Sequence, residues 1–173
     1  MQHIEKLEVW LRGPLPAVPA LLQPVAHALL QGQEEMSMFA SDFPAKFLWE
    51  RPEGLASVGF HLQHITGVLD RLFTYASGES LNETQLSYLK SEGKEPFEGC
   101  SYDDLLKTLT KQIALSIEQL KQTNENTLTE IRYVGRAMIP STQLGLLFHA
   151  AEHTQRHVGQ LIVTARILLS RHI

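Results

Sequence analysis

The sequence predicts an all-α fold, a four-helix bundle in which a long crossover between the second and third helices carries a short extra helix. Three observations favour it. Four long segments repeat apolar residues every three or four positions. Residues that start and stop helices lie at the ends of these segments, and no convincing run of strand alternation is present. Two helical hairpins packed less regularly would share most of this core and stay an alternative.

The first long segment follows a proline-rich stretch. Pro24 suits its opening turn, and Val25, Leu29 and Met36 begin its apolar stripe. The segment 41–54 comes next and contains two prolines, each of which disfavours helix at the preceding residue. We therefore expect a loop there, between the first and second helices.

The second long segment runs from about Leu55 to Ala76, and Gly78 lies where a helix-terminating glycine is expected. Residues 77–100 form the predicted crossover. Within it, Asn82 is a candidate N-cap, and Gly93 lies near the expected end of a short helix. The crossover is thus predicted to be partly helical.

The third long segment has the clearest start, because Ser101 and Asp104 approximate a capping box. Its buried side is predicted to comprise Leu105, Leu109, Ile113, Ile117 and Leu120. The fourth segment is predicted to open at Pro140-Ser141 and to continue to about Leu169.

Length and composition predict one globular domain over residues 1–173. Hydrophobic residues make up 43% and charged residues 20%. The net charge of −4 argues against a nucleic-acid partner. No apolar stretch is long enough to span a membrane, so no membrane partner is expected. Cys100 is the only cysteine, which excludes an internal disulfide. Together with a first segment unlike a signal peptide, this predicts a cytoplasmic location.

Five of the eight histidines fall in two predicted helices, at His61, His64, His149, His153 and His157. Histidines four residues apart lie on one helix face, so two of them can bind one ion without distorting the backbone. A third imidazole from another helix would complete the set. Three neutral ligands leave an open position on the metal, as catalytic sites do.

The alternative is a polar surface that happens to be rich in histidine. On the fourth helix His157 borders the apolar arc, His153 lies one step outward and His149 one step further. The inner pair is better placed to face the bundle, and His149 is expected at its rim. On the second helix His61 lies nearer the apolar arc than His64, so geometry does not select the third ligand.

Two rival metal motifs do not fit. The stretch "HAAEH" matches the inverzincin peptidase pattern, which needs a further acidic ligand downstream, but none of the residues after His153 is acidic. A di-iron bundle needs Glu-x-x-His on two helices. No glutamate stands three residues before His64, His153 or His157.

Two stretches resemble a known family. "AEHTQRHVGQL" is similar to the last-helix signature of the DinB/YfiT-like proteins of the DinB superfamily. "ASVGFHLQHITGVLDRL" resembles their second helix, in which a serine precedes the metal-binding histidine by seven residues, as Ser57 precedes His64. "LWERPEG" resembles the loop before that helix. The similarity covers roughly Met36 to Ala76 and Pro140 to Ile167, and it implies that residues 1–20 are an N-terminal extension outside the shared core.

The resemblance implies a four-helix bundle with a divalent metal, zinc or nickel, held by His64, His153 and His157. It alone favours His64 over His61. Characterised relatives include S-transferases that use low-molecular-weight thiols such as bacillithiol or mycothiol, and a thiol-dependent maleylpyruvate isomerase; many others have no established activity. Where the family often has a second histidine before its last ligand, this chain has Arg156, which leaves the substrate open.

The leading hypothesis is a metal-dependent enzyme that activates a thiol or water, an S-transferase or a hydrolase acting on a small molecule. His61, His149 and Glu152 are candidates for orienting the ligands or contacting substrate, and no residue is assigned as a catalytic base. The alternative is a non-catalytic, metal-stabilised bundle that acts as a stress-related or scaffold homodimer. A metal-free helical domain is the third hypothesis.

Overall fold

A computed structural model describes residues 7–40 and 42–171, and it is all-α apart from one small hairpin. The helices are α1 Gln23–Ser37, α2 Val58–Ala76, α3 Glu83–Ser91, α4 Tyr102–Gln122 and α5 Gln143–Ser170. The four long helices, α1, α2, α4 and α5, pack as a bundle in which α2 lies against α4 and α5, and α1 lies against the same two helices. The predicted fold class is therefore confirmed.

The interior is built from the apolar faces of the four long helices. Tyr102, at the start of α4, donates a buried hydrogen bond of 2.7 Å from its hydroxyl to the carbonyl of Met36 on α1. Fully buried side chains from all four helices fill the space between them, among them Leu29, Leu62, Ile65, Leu69, Leu109, Ile113, Leu120, Val158 and Leu161. This core fixes which faces of α2 and α5 meet.

The predicted extension contacts the bundle in the part that is described. Residues 1–6 lie outside the described residues. Val9 begins a 3-10 turn and donates its backbone N–H to the Gln31 side chain at 3.0 Å. The guanidinium of Arg12 pairs with the carboxylate of Glu34 at 2.6 Å. This segment thus lies against α1.

Side-chain caps fix the starts of the helices. Asn82 caps α3 through a capping box with Gln85, and Ser101 caps α4 through a capping box with Asp104; both predicted caps are confirmed. Helix α2 begins at Val58 rather than at about Leu55, because the Ser57 hydroxyl accepts the backbone N–H of Phe60 at 3.1 Å.

The sequence did not predict a hairpin, which lies between α4 and α5. Strands β1 Ile131–Val134 and β2 Ile139–Thr142 pair in antiparallel fashion. Helix α5 therefore begins at Gln143, capped by Thr142, and the prediction that it opens at Pro140-Ser141 was wrong. The burial of β1 alternates, but its exposed positions Ile131 and Tyr133 are themselves largely apolar. The sequence of β1 therefore lacks the alternation of exposed polar and buried apolar residues that predicts a strand.

The crossover lies against α2, where a buried glutamine anchors its last part. Gln63, on α2, accepts the backbone N–H of Gly93 at 2.7 Å and donates to the carbonyl of Lys94 at 2.9 Å. Gly67, on α2, allows α3 to approach α2 closely. A Cβ atom added at Gly67 would lie 2.6 Å from the Arg71 Nη1 atom and 2.9 Å from a ring carbon of Tyr88. The end of α3 is thereby held beside the middle of α2.

Among the described residues, no helix combines the length and the apolar character that crossing a membrane requires.

Replacement of Ser57 by alanine is expected to lower the free energy of unfolding by about 1 kcal/mol, because it removes the cap of α2. Ser57 is buried, so water cannot readily replace its oxygen. Chemical denaturation followed by circular dichroism measures the change. Ser80→Ala, at an exposed position between α2 and α3, is the control and should change stability by less than about 0.5 kcal/mol. Equal effects of the two replacements would contradict a capping role.

Candidate metal centre

Three histidines from two helices converge at one place. His64 comes from α2, and His153 and His157 come from successive turns of α5. One ring nitrogen of each residue can be chosen so that all three atoms lie within 4.8 Å of one another. The Nε2 atoms of His64 and His153 are 3.0 Å apart. These are the three residues that the family resemblance implied as ligands.

His61 lies behind this group instead of in it. Its side chain is 3% exposed, and its Nδ1 atom lies 2.9 Å from the Nδ1 atom of His157. It can therefore hold the ring of His157 in place through one hydrogen bond. The structure thus separates the two α2 histidines, which sequence geometry left undecided. His64 faces the other two rings and His61 supports one of them.

His149 and Glu152 contact each other at the edge of the site. The His149 side chain is 48% exposed, and its Nδ1 atom lies 2.6 Å from Oε1 of Glu152. The other oxygen of Glu152 accepts from Arg156 at 2.6 Å. His149, Glu152 and His153 also form a more exposed group with metal-ligand spacing. It shares His153 with the first group, so the two groups compete for one side chain.

Sequence reasoning missed Glu92, at the end of α3. Its Oε2 atom accepts a hydrogen bond of 2.7 Å from Nδ1 of His64, and its Oε1 atom accepts one of 2.7 Å from Nη1 of Arg71. The Glu92 side chain is 5% exposed. No local motif signals this contact, because Glu92 lies in the crossover, 28 residues from His64. Only the docking of α3 on α2 brings them together.

The electrostatics favour neutral imidazoles. Burial, reinforced by the charge that His64 can carry, lowers the pKa of His153 to about 4 and the pKa of His157 to about 3. The same two causes lower the pKa of His61 to about 4. At neutral pH these rings each keep one nitrogen lone pair free for a hydrogen-bond donor or a cation.

The hydrogen bonds around the rings test whether the donor set suits a cation. A carboxylate only accepts, so the Nδ1 atom of His64 carries the hydrogen that points to Glu92, and its Nε2 lone pair faces His153. The Nδ1 atom of His153 is buried and has no hydrogen-bond partner among the described residues. This atom is therefore unpaired in either tautomer, as an acceptor if His153 donates from Nε2 to His64 and as a donor if Nδ1 carries the hydrogen. In the second tautomer the two Nε2 lone pairs face each other 3.0 Å apart, an arrangement that a shared cation would stabilise, and three imidazole nitrogens are a donor set that suits zinc.

An aromatic ring also packs against His64. Phe60 stacks on His64, with ring centroids 5.1 Å apart and planes inclined by 14°. The rings of His64 and His157 lie 4.5 Å apart, and those of His153 and His157 lie 4.6 Å apart. The three imidazole rings therefore pack against one another, and Phe60 packs against the ring of His64.

Comparison with known proteins gives a family and a fold. The model of a family described as the DinB superfamily matches residues 28–161, a range that contains all three converging histidines and Glu92. No curated protein matches the chain. A crystal structure described as that of a conserved protein from Enterococcus faecalis is similar, with a TM-score of 0.66 and 19% sequence identity. The similarity covers 86% of this chain and 97% of that one, and at this identity it shows a shared fold.

Proposed function

This chain belongs to the DinB superfamily, and we propose that it is a metal-dependent enzyme whose His64, His153 and His157 hold a zinc or nickel ion. The observation that carries the proposal is the convergence of three imidazole nitrogens from two helices within 4.8 Å. The low pKa values of His153 and His157 support it, because neutral rings need not lose a proton to bind a metal.

The proposed chemistry is activation of a small nucleophile. Bound at this site, the ion would lower the pKa of a thiol or water so that a nucleophile exists at neutral pH. The residues of the chain supply the geometry: three protein ligands leave a position for the small molecule, while Glu92 and His61 hold the rings of His64 and His157. The proposed reaction class is transfer of a low-molecular-weight thiol or hydrolysis.

A groove next to the centre supports a small-molecule substrate. Its volume is about 630 Å³, and His61 forms part of its wall. The remaining lining is largely apolar and comes from α5 and the segment before α2, namely Leu55, Ala56, Gln155, Arg156, Gly159, Gln160, Val163 and Thr164. Pockets of this size and character suit compact organic ligands.

A thiol-transfer assay tests the proposed activity. Protein loaded with zinc or nickel is mixed with bacillithiol or mycothiol and a chloronitrobenzene, in which the thiolate forms a carbon–sulfur bond and chloride leaves. We expect turnover with the metal-loaded protein and none above background with metal-free protein, because the metal provides the nucleophile. A parallel assay with an activated ester tests hydrolysis. Equal rates with and without metal would contradict the proposal.

The second candidate is a non-catalytic bundle stabilised by the metal, a stress-related or scaffold homodimer. This candidate is favoured because the three rings come from two helices, so that an ion bound to them would join α2 to α5. Saturating metal should then raise the free energy of unfolding, by about 4 kcal/mol at a thousand times the dissociation constant, while no thiol or ester turns over. Sedimentation of the metal-loaded protein tests the dimer.

A further inference from the structure

We infer that Glu92 is a positioning residue of the centre: its carboxylate, held by Arg71, fixes the ring of His64 so that Nε2 faces His153 and His157. The inference rests on the proposed function, because it assigns a role toward the proposed metal. Nothing in the local sequence marks Glu92 for this role, and its position is set by the packing of the crossover on α2.

Each carboxylate oxygen of Glu92 accepts one hydrogen bond from a side chain of α2. Oε2 of Glu92 lies 2.7 Å from Nδ1 of His64, and Oε1 lies 2.7 Å from Nη1 of Arg71. Both partners are on α2, whereas Glu92 follows α3. A metal-binding histidine needs its other ring nitrogen held by an acceptor, which fixes the tautomer and makes the ligating nitrogen more basic. Glu92 meets this need for His64.

The fold holds Glu92 firmly enough for the role. The side chain of Arg71 is 11% exposed and that of Glu92 is 5% exposed, so the pair is shielded from competing water. Gln63 binds the backbone on the C-terminal side of Glu92, through Gly93 and Lys94. A buried ion pair adds little net stability by itself, because desolvation offsets the attraction. Orientation of His64 is therefore the better explanation for its presence.

A glutamine cannot replace this carboxylate. An amide offers one acceptor oxygen, and its nitrogen only donates. If the amide oxygen in Glu92→Gln stayed with Arg71, the amide nitrogen would face Nδ1 of His64 and force the hydrogen onto Nε2, where it would block the metal. If the oxygen stayed with His64, the guanidinium would lose its buried partner. The first arrangement blocks the ligating nitrogen, and the second turns the amide N–H toward the guanidinium, so that Arg71 no longer holds the acceptor in place beside His64.

The test is Glu92→Gln in the full chain, with the zinc dissociation constant measured by competition with a chromophoric chelator. We expect binding to weaken by about 10- to 100-fold, as loss of such a partner typically does. Nitrogen-15 NMR of the metal-free protein reports the tautomer directly, and we expect His64 to carry its hydrogen on Nδ1 in the unchanged protein and to lose that preference in Glu92→Gln.

Glu130→Gln is the matched control, because Glu130 pairs with Arg132 at 3.0 Å on the hairpin side of the molecule. It should leave zinc binding and the His64 tautomer unchanged. If Glu92→Gln unfolds, Gly67→Ala gives a second approach. Its new Cβ would meet the Glu92 carboxylate and Arg71 and push the acceptor away from His64, while alanine favours the helix.

The outcomes separate the inference from the proposed function. If the unchanged protein takes up neither zinc nor nickel, the proposed function fails, and the NMR tautomer still decides whether Glu92 orients His64. If zinc binds and both Glu92→Gln and Gly67→Ala keep its affinity and the tautomer, the inference is overturned. Weaker binding with a changed tautomer in a folded variant supports it.

Discussion

Replacement of His153 by alanine is expected to weaken zinc binding by about a hundredfold or more while the bundle stays folded. Structural zinc sites gain about 10–16 kcal/mol from their whole ligand set, so one ligand accounts for several kcal/mol, and each 1.4 kcal/mol is a factor of ten. His153 also lies between the two candidate groups. Its loss therefore removes a ligand whichever group binds the ion. Isothermal titration of the metal-free protein with zinc measures the effect.

His149→Ala is the matched control, one turn earlier on the same helix. Its side chain is 48% exposed and bonds to Glu152 rather than to the converging rings. We expect zinc binding to change by no more than a few-fold. A loss as large as that of His153→Ala would contradict the three-histidine centre and would place the ion at His149, Glu152 and His153 instead.

Replacement of Leu109 by alanine is expected to lower the free energy of unfolding by about 2–5 kcal/mol. Leu109 lies on α4, is completely buried and belongs to the core that α4 shares with the other long helices. The smaller side chain leaves a cavity that the surrounding helices fill only in part. In a chain of this length, each kcal/mol shifts the melting temperature by about 2–4 °C. Thermal and urea unfolding of the metal-free protein both report the change.

Leu115→Ala on the same helix is the control for this effect. Its side chain is 63% exposed, so little apolar area is lost to water on unfolding. We expect a change within about 0.5 kcal/mol. If the two replacements lowered the free energy of unfolding equally, the described burial of Leu109 in the core would be wrong.

Local signals allowed most helix boundaries to be predicted. Asn82 and Ser101 begin helices because a short polar side chain can bind the exposed N–H groups of the first turn, which depends on only a few neighbouring residues. The hairpin could not be predicted in the same way. Its exposed positions include Ile131 and Tyr133 on β1 and Ile139 on β2, so exposure does not coincide with polar residues there.

The candidate ligand from α2 could not be predicted from helix geometry, and the structure gives the reason. Helix α2 is packed by α4 and α5 and by α3 of the crossover, so consecutive residues such as His61, Leu62 and Gln63 are all buried. An apolar arc cannot then separate His61 from His64, and only the family resemblance favoured His64. The role of Glu92 could not be predicted from the sequence, because its contact with His64 depends on how α3 packs against α2.

X-ray absorption spectroscopy of untagged, zinc-loaded protein gives the most direct test of the metal centre. Coordination by His64, His153 and His157 predicts one zinc per chain, with three imidazole nitrogens at about 2.0–2.1 Å. The same spectrum from His153→Ala should lose one imidazole or the metal altogether. Failure of the unchanged protein to retain stoichiometric zinc or nickel, or a spectrum with fewer than three imidazoles, would contradict the proposed site.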